Sequence, residues 1–420
     1  MSSDQSQDQR FKDLFALSLC QKIHETLSAH GGAVKFVGGI IRDRLAGHPL
    51  PQYPDIDMAM TMRPQQAMDI LTEAGLRVIP TGLDHGTITV FERHDDRLKV
   101  ELTTLRVDLS TDGRHAEVVF TEDWQGDAER RDFTINAICL GYDGVIYDPF
   151  HGVDDLKQGR VRFIGDAEAR IKEDFLRMLR FFRFHARFAK TAPDPAAMAA
   201  ISQHAASLET ISGERIASEL GKLIMLPQDG LIAMASTKLD QVLTASGFDL
   251  EKLSALHNIF SNPSIAARYA ALIEDVVLSA FMEKLKMSNA IRQAISYLST
   301  PILNSHEWTV ENWRQYAWPL VKSRNASWWQ PAYLAERYAL AQISNDSRPD
   351  QALLTALSDW AYPTLPITGQ DLLDAGFQAG EKIGTILSTL EAYWVSHDFT
   401  PTKSDLLSMA QRLDLGDATE

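Results

Sequence analysis

Two neighbouring segments constrain this chain most: Phe36-Val37-Gly38-Gly39-Ile40-Ile41-Arg42-Asp43 and, shortly after, Asp55-Ile56-Asp57. A glycine pair after a short apolar run and before a helical one lets backbone N–H groups approach a phosphate. They do so at the positive end of a helix dipole. In a strand, residues i and i+2 point to the same side. Asp55 and Asp57 therefore project together, while Ile56 faces a core. Two carboxylates on one side repel unless a cation lies between them. Mg²⁺ is the expected ion, because it takes hard oxygens from one or two carboxylates together with substrate phosphates. Two such ions can activate a terminal hydroxyl and stabilise leaving pyrophosphate. Glu101, on an expected neighbouring strand, is the candidate third catalytic acid. Arg42, one turn into the helix, is a candidate triphosphate ligand. Taken singly, Asp-X-Asp more often marks a solvated turn, and Gly-Gly a plain strand-to-helix connection.

The 420 residues allow several domains, and 45% apolar residues make the chain globular. Two cysteines, Cys20 and Cys139, build no disulfide framework, which fits a reducing cytoplasm. No apolar run approaches the roughly 20 residues that span a bilayer. The polar start, Met1 to Gln7, has no signal layout and is expected to be a frayed tail. The net charge of −15 conceals a basic segment. From Arg160 to Lys190 nine basic residues face four acidic ones, and arginines alternate with aromatics. That pattern suits a polyanion.

The patterning predicts an α+β fold: a small mixed-sheet head, then helices only. Phe11 to Ser28 reads as one amphipathic helix. Val34 to Val37, Ile56 to Met60, Thr87 to Phe91 and Leu98 to Thr103 read as strands, with Asp95-Asp96 as a hairpin turn. After Asp148-Pro149 the strand signals fade. The expected divisions are 1–32, a polar start and helix; 33–147, the mixed-sheet head; and three helical segments, 148–223, 224–350 and 351–420.

Further segments share a pattern with these: Arg130-Arg131-Asp132-Phe133-Thr134-Ile135-Asn136-Ala137, Asp148-Pro149-Phe150-His151-Gly152, Glu173-Asp174-Phe175-Leu176-Arg177 through Phe184, and Ile211 to Leu220. In order and spacing, from Phe36 to Leu223, the chain resembles the class II tRNA nucleotidyltransferase and poly(A) polymerase family. It is most like the bacterial CCA-adding branch without a phosphohydrolase domain; beyond the head, His397-Asp398 is the only His-Asp dipeptide. The resemblance implies a head, neck, body and tail. It implies that Asp55 and Asp57 bind the metal, that Gly38, Gly39 and Arg42 bind triphosphate, and that Arg131 and Asp132 read the ribose. It places Asp174 and Arg177 on a neck helix that selects the base, with Arg180 and Arg183 facing base and triphosphate. The implied partners are the tRNA 3′ end, CTP and ATP.

The base chemistry is consistent with that role. Cytosine and adenine each offer an amino group beside a ring-nitrogen acceptor, which a carboxylate and a guanidinium match. Uracil and guanine reverse both groups, and each buried mismatch costs roughly 1–3 kcal/mol. Glu173 is expected to orient Arg177 through an i, i+4 pair. Met178, Phe182, Phe175 and Leu179 are expected in the core. Leu105 to Phe120, tipped by Asp112-Gly113-Arg114-His115, fits the family's mobile loop, and Asp148 with Gly152 its hinge. In the tail, Thr368 could cap a helix from Gln370 to Ala375 ended by Gly376, and Gly380 could open the next. His85, His94 and His115 read as surface residues. Rival readings are a poly(A) polymerase, an enzyme adding only the terminal A, and a non-catalytic RNA-binding protein.

Overall fold

The computed structural model describes residues 4–414 apart from 94, 112–115 and 324–325. His94 and the loop tip Asp112 to His115 therefore lie outside the described residues. The chain divides between Phe248 and Asp249 into two compact units.

In the first unit nine strands are described: β1 (Val34–Val37), β2 (Ile56–Met60), β3 (Arg77–Gly82), β4 (Thr87–Glu92), β5 (Asp95–Thr104), β6 (Arg106–Thr111), β7 (Ala116–Phe120), β8 (Cys139–Gly141) and β9 (Ile146–Tyr147). One sheet runs β3-β4-β5-β2-β1-β8-β9, and β6 and β7 form a separate hairpin. β2 and β5 pair in parallel; the other neighbours are antiparallel. β5 already begins at Asp95, so the Asp95-Asp96 turn is corrected: these residues lengthen the strand, and Glu92 pairs with Asp95.

Alternation sorts the two faces of the sheet. Phe36, Ile56, Met58, Met60, Ile88, Val90, Val100 and Leu102 are buried in one core with α1 (Asp4–Phe15), α2 (Ser18–Ala29), α3 (Gly39–Leu45) and α4 (Pro64–Glu73). The other face carries Asp57 and Glu101, beside a small cluster of Val37, Ala59, Leu105 and Cys139. The single helix expected from Phe11 to Ser28 is two, because Leu17 is extended (φ −71°, ψ 113°). The break lets Phe11 and Leu14 enter the core from one helix and Leu19, Ile23 and Leu27 from the next. The expected frayed start is also corrected: residues from Asp4 on are helical.

After α5 (Trp124–Glu129) come α6 (Gly152–Gln158), α7 (Ala167–Glu173), α8 (Arg177–Phe188), α9 (Pro195–His204), α10 (Gly213–Ile224), α11 (Asp229–Ser236) and α12 (Leu239–Thr244). α8 buries Met178, Leu179, Phe181, Phe182 and Phe184, while Phe175 before it is half-buried. α10 and α11 pack against α8. A Cβ on Gly230 would stand 2.7 Å from both the Phe182 carbonyl oxygen and Ala186 Cβ, so the α8–α11 approach requires glycine.

The second unit is helical. Its core gathers Trp308, Trp313, Trp318, Trp394, Tyr338 and leucines. There Thr368 and Asp371 form a capping box on the helix Gly369–Asp374, Gly376 takes φ +97°, and Gly380 precedes the helix Glu381–Ser396. Among the described residues no helix is long and apolar enough to cross a membrane.

Gly230→Ala is expected to destabilise the protein by about 1–3 kcal/mol through overpacking. Urea denaturation checks this, and unchanged stability would refute the close α8–α11 approach.

Candidate active site

Gly38 ends β1 with φ +76° and precedes α3, a conformation that favours glycine. A Cβ there would lie 3.3 Å from Asp57 Oδ2 and 4.0 Å from Arg131 Nη1. The phosphate-type turn, one carboxylate and one arginine therefore converge. Sheet register brings in the rest. Asp57 pairs with Val37 on β1 and with Glu101 on β5, so both acids leave the same face. Asp55 precedes β2, and its side chain is 91% exposed. Lys99 Nζ lies 3.3 Å from Glu101 Oε1 and 3.6 Å from Asp55 Oδ1.

Asp57 keeps an open side, but crowding by protein and the nearby Glu101 and Asp55 carboxylates push its carboxyl above the usual range; Arg131 partly opposes them. A divalent cation relieves that kind of strain. Among the described residues, no three carboxylate, imidazole or thiol groups form a ready ion cage. Asp55 and Asp57, two hard-oxygen carboxylates beside Glu101, are a donor set that would suit Mg²⁺ completed by substrate phosphates.

The Arg-Arg-Asp segment is fixed from below. Buried Asp127 accepts from Arg130 Nη2 at 2.8 Å and from Arg131 Nη2 at 3.1 Å. Burial alone would raise Asp127, but the two guanidiniums hold it below the carboxylate range. Arg131 Nη1 reaches the Asn136 carbonyl at 3.3 Å, while its buried Nε has no protein partner. Asp132 behaves differently. Its Oδ1 accepts from the Phe133 N–H and Asn136 Nδ2, and its Oδ2 accepts from Arg180 Nε at 2.6 Å. Burial would raise Asp132, yet Arg180 and Asn136 hold it low. The two residues assigned together to the ribose are thus separated: Arg131 faces the glycine turn, and Asp132 ties head to neck.

Arg42 is likewise committed. Its guanidinium is buried, bonded to Asp43 at 2.7 Å and Asn136 at 2.6 Å, and stacked on Phe184 and Phe188. Asp43 also accepts from Arg187 at 2.8 Å.

The expectation that Asp174 and Arg177 share one helix is corrected. α7 ends there, Asp174 is extended (φ −157°, ψ 107°), and α8 starts at Arg177. Aspartate favours such a cap, because its side chain competes for backbone N–H groups. Asp174 Oδ1 accepts from the Leu176 N–H at 3.1 Å, and Oδ2 accepts from Arg215 Nη2 at 2.7 Å. Arg177 Nη1 meets Glu173 Oε2 at 2.5 Å, the expected pair, although it spans the break; Nη2 donates to the Arg130 carbonyl at 3.3 Å. Arg183 Nε meets buried Glu219 at 2.5 Å, with Arg180 Nη1 3.8 Å from the same oxygen.

Sequence reasoning gave no role to Arg215, Glu219, Asn136, Asp127 or Lys99. Arg215 and Glu219 stand four apart on α10 and so share one face, but that spacing alone suggests a mutual pair and does not signal Asp174 and Arg183 as their partners. Asp148 takes the N–H groups of Gly152 and Val153, at 2.8 and 2.9 Å, and so fixes the start of α6. A cavity of about 640 Å³ behind α8, lined by His185, Lys190 and Asp229 among others, contains none of these site residues.

Asp132 generates a pH prediction. Its folded pKa is lowered, so its contribution is complete above the ordinary carboxylate range and is lost as pH falls through the folded value. Asp132→Asn, which leaves Arg180 unpaired, is expected to cost about 3 kcal/mol at pH 7. In urea melts from pH 7 to pH 3 the gap between variant and wild type should close only below about pH 4. A gap independent of pH would refute the ion pair.

Comparison with known proteins extends this geometry. The family model "Poly A polymerase head domain" matches residues 34–162, and "Probable RNA and SrmB-binding site of polymerase A" matches residues 192–244. The chain is 34% identical over 417 residues to CCA tRNA nucleotidyltransferase 1, mitochondrial, of Danio rerio, covering 96% of this chain and 93% of the relative. It is 30% identical to the CCA-adding enzyme of Levilactobacillus brevis, covering 89% and 92%. The crystal structure of the Bacillus stearothermophilus CCA-adding enzyme in complex with CTP superposes with a TM-score of 0.72 at 25% identity, covering 97% and 98%. Matches of this length run through both units, and the chain belongs to the class II CCA-adding tRNA nucleotidyltransferase and poly(A) polymerase family.

Proposed function

We propose that this protein adds or repairs the 3′-terminal CCA of tRNA, using CTP and ATP and releasing pyrophosphate. One observation carries the reading: the Gly38 turn, Asp57 and Arg131 meet at one point, with Glu101 in register beside Asp57. The CTP bound to the Bacillus relative and the CCA-adding names of the relatives support the substrates.

In this reading the tRNA 3′-hydroxyl oxygen bonds to the α-phosphorus, and the bond from that phosphorus to pyrophosphate breaks. Asp55 and Asp57 would hold Mg²⁺, as two-metal nucleotidyl transfer requires, and Glu101 completes the acidic face. Bound Mg²⁺ supplies Lewis-acid polarisation of the phosphate oxygens and lowers the pKa of the attacking hydroxyl. The N–H groups at Gly38 and Gly39 receive the triphosphate. Arg131, whose buried Nε lacks a protein partner, reads the ribose or phosphates. Arg42 and Asp132 hold the turn and the neck in place.

Asp174 and Arg177 select the base. Glu173 and the Arg130 carbonyl orient the guanidinium of Arg177, and Arg215 orients the carboxylate of Asp174. Arg180 and Arg183, held by Asp132 and Glu219, line the same side. The body and tail bind tRNA. We place the protein in the cytoplasm on the support of two free, buried cysteines, although the vertebrate relatives carry mitochondrial names.

Asp55→Ala should lower incorporation of CTP and ATP alike, by about 10³-fold or more. Asp174→Ala should instead relax the preference for CTP and ATP over UTP and GTP by about ten-fold or more. Single-nucleotide incorporation assays check both; full turnover by the first variant or unchanged selectivity in the second would refute the assignment.

A further inference from the structure

Lys99 has no part in the chemistry above, yet it stands among the acids. It lies two residues before Glu101 on β5, so both side chains leave the same face. Its ammonium is within 3.3 Å of Glu101 and 3.6 Å of Asp55. Asp57, the register partner of Glu101, belongs to the same cluster. Three carboxylates therefore share one face, and a single flexible cation bridges two of them. The Lys99 side chain is 43% exposed, so its long stem is free to swing away.

We propose that Lys99 is the resident counter-cation of this cluster, holding the carboxylates in the free protein and giving way when Mg²⁺ binds. The inference rests on the reading of Asp55 and Asp57 as metal ligands. An incoming divalent ion meets a like charge on Asp55, one of the two groups it needs, and beside the neighbouring Glu101, so the protein alone binds the metal weakly. A nucleoside triphosphate brings several negative charges to the same place and offsets that repulsion. Lys99 thus makes metal loading depend on nucleotide: the ion enters chiefly together with the triphosphate. The competing account is an ordinary exposed ion pair, worth about 0–1 kcal/mol and without influence on metal affinity.

The test is a titration of free Mn²⁺, an ion that shares the preference of Mg²⁺ for octahedral oxygen ligands, followed by electron paramagnetic resonance. It uses the full-length wild type, Lys99→Met, Lys99→Arg and Asp57→Asn, each with and without a CTP analogue carrying a non-cleavable α,β-methylene bridge. Without nucleotide, Lys99→Met should bind Mn²⁺ about five-fold tighter than wild type, and Lys99→Arg should not. The gap should shrink with the analogue present and at high salt. Equal affinity of Lys99→Met and wild type, with binding lost in Asp57→Asn, would overturn the Lys99 proposal and leave the metal ligands standing. Undiminished binding by Asp57→Asn would overturn the metal reading, and the Lys99 proposal with it.

Discussion

The ion pair between Asp132 and Arg180 holds the rest of the first unit in working order. Asp132 comes from the head and Arg180 from α8, and the carboxylate is nearly buried. A buried charge pair adds little net stability compared with an apolar contact, but it permits one geometry and penalises others. That geometry is the useful quantity here. Asn136 passes the tie from Asp132 to Arg42, and Asp43 passes it on to Arg187 at the far end of α8. The helix that follows Asp174 is thus pinned near both of its ends to the helix that follows Gly38. The turn beside Asp57 and the start of α8 are positioned by one network.

This network divides the arginines by role. Arg42, Arg180 and Arg183 have buried or semi-buried partners and stack on Phe184. Arg131 alone among the segment's arginines combines a place beside the glycine turn with a buried nitrogen lacking a protein partner. Stacking and bidentate pairing explain why arginine and not lysine occupies these positions. At Lys99 the opposite holds, since a compact ammonium on a flexible stem suits a cation that must leave.

Much of the head was legible because its signals are local. Period-two burial placed Asp55 and Asp57 on the face away from Phe36 and Met58, and the Gly-Gly pair gave the start of α3 to the residue. The adjacency of Glu101 was a correct expectation, since Leu98 to Thr103 had the same alternation. Other features are invisible to periodicity. The break at Asp174 depends on a cap, not on the spacing of apolar residues. The break at Leu17 separates two stretches whose combined pattern imitates one helix. The separate fates of Arg131 and Asp132 depend on what α8 presents to each, and the roles of Arg215 and Glu219 are set by pairing across a helix–helix contact. Charge partners distant in sequence leave no local trace.

The central claim is that one site transfers nucleotides while a carboxylate and a guanidinium at the start of α8 choose between them, without a nucleic-acid template. The most direct measurement is sequencing of the 3′ ends of tRNAs lacking CCA, CA or A, after incubation with this protein, Mg²⁺, CTP and ATP. The account predicts completion of every substrate to CCA and no further, with addition stopping at CC when ATP is withheld. Long adenosine tails, addition of A alone, or no incorporation would contradict it.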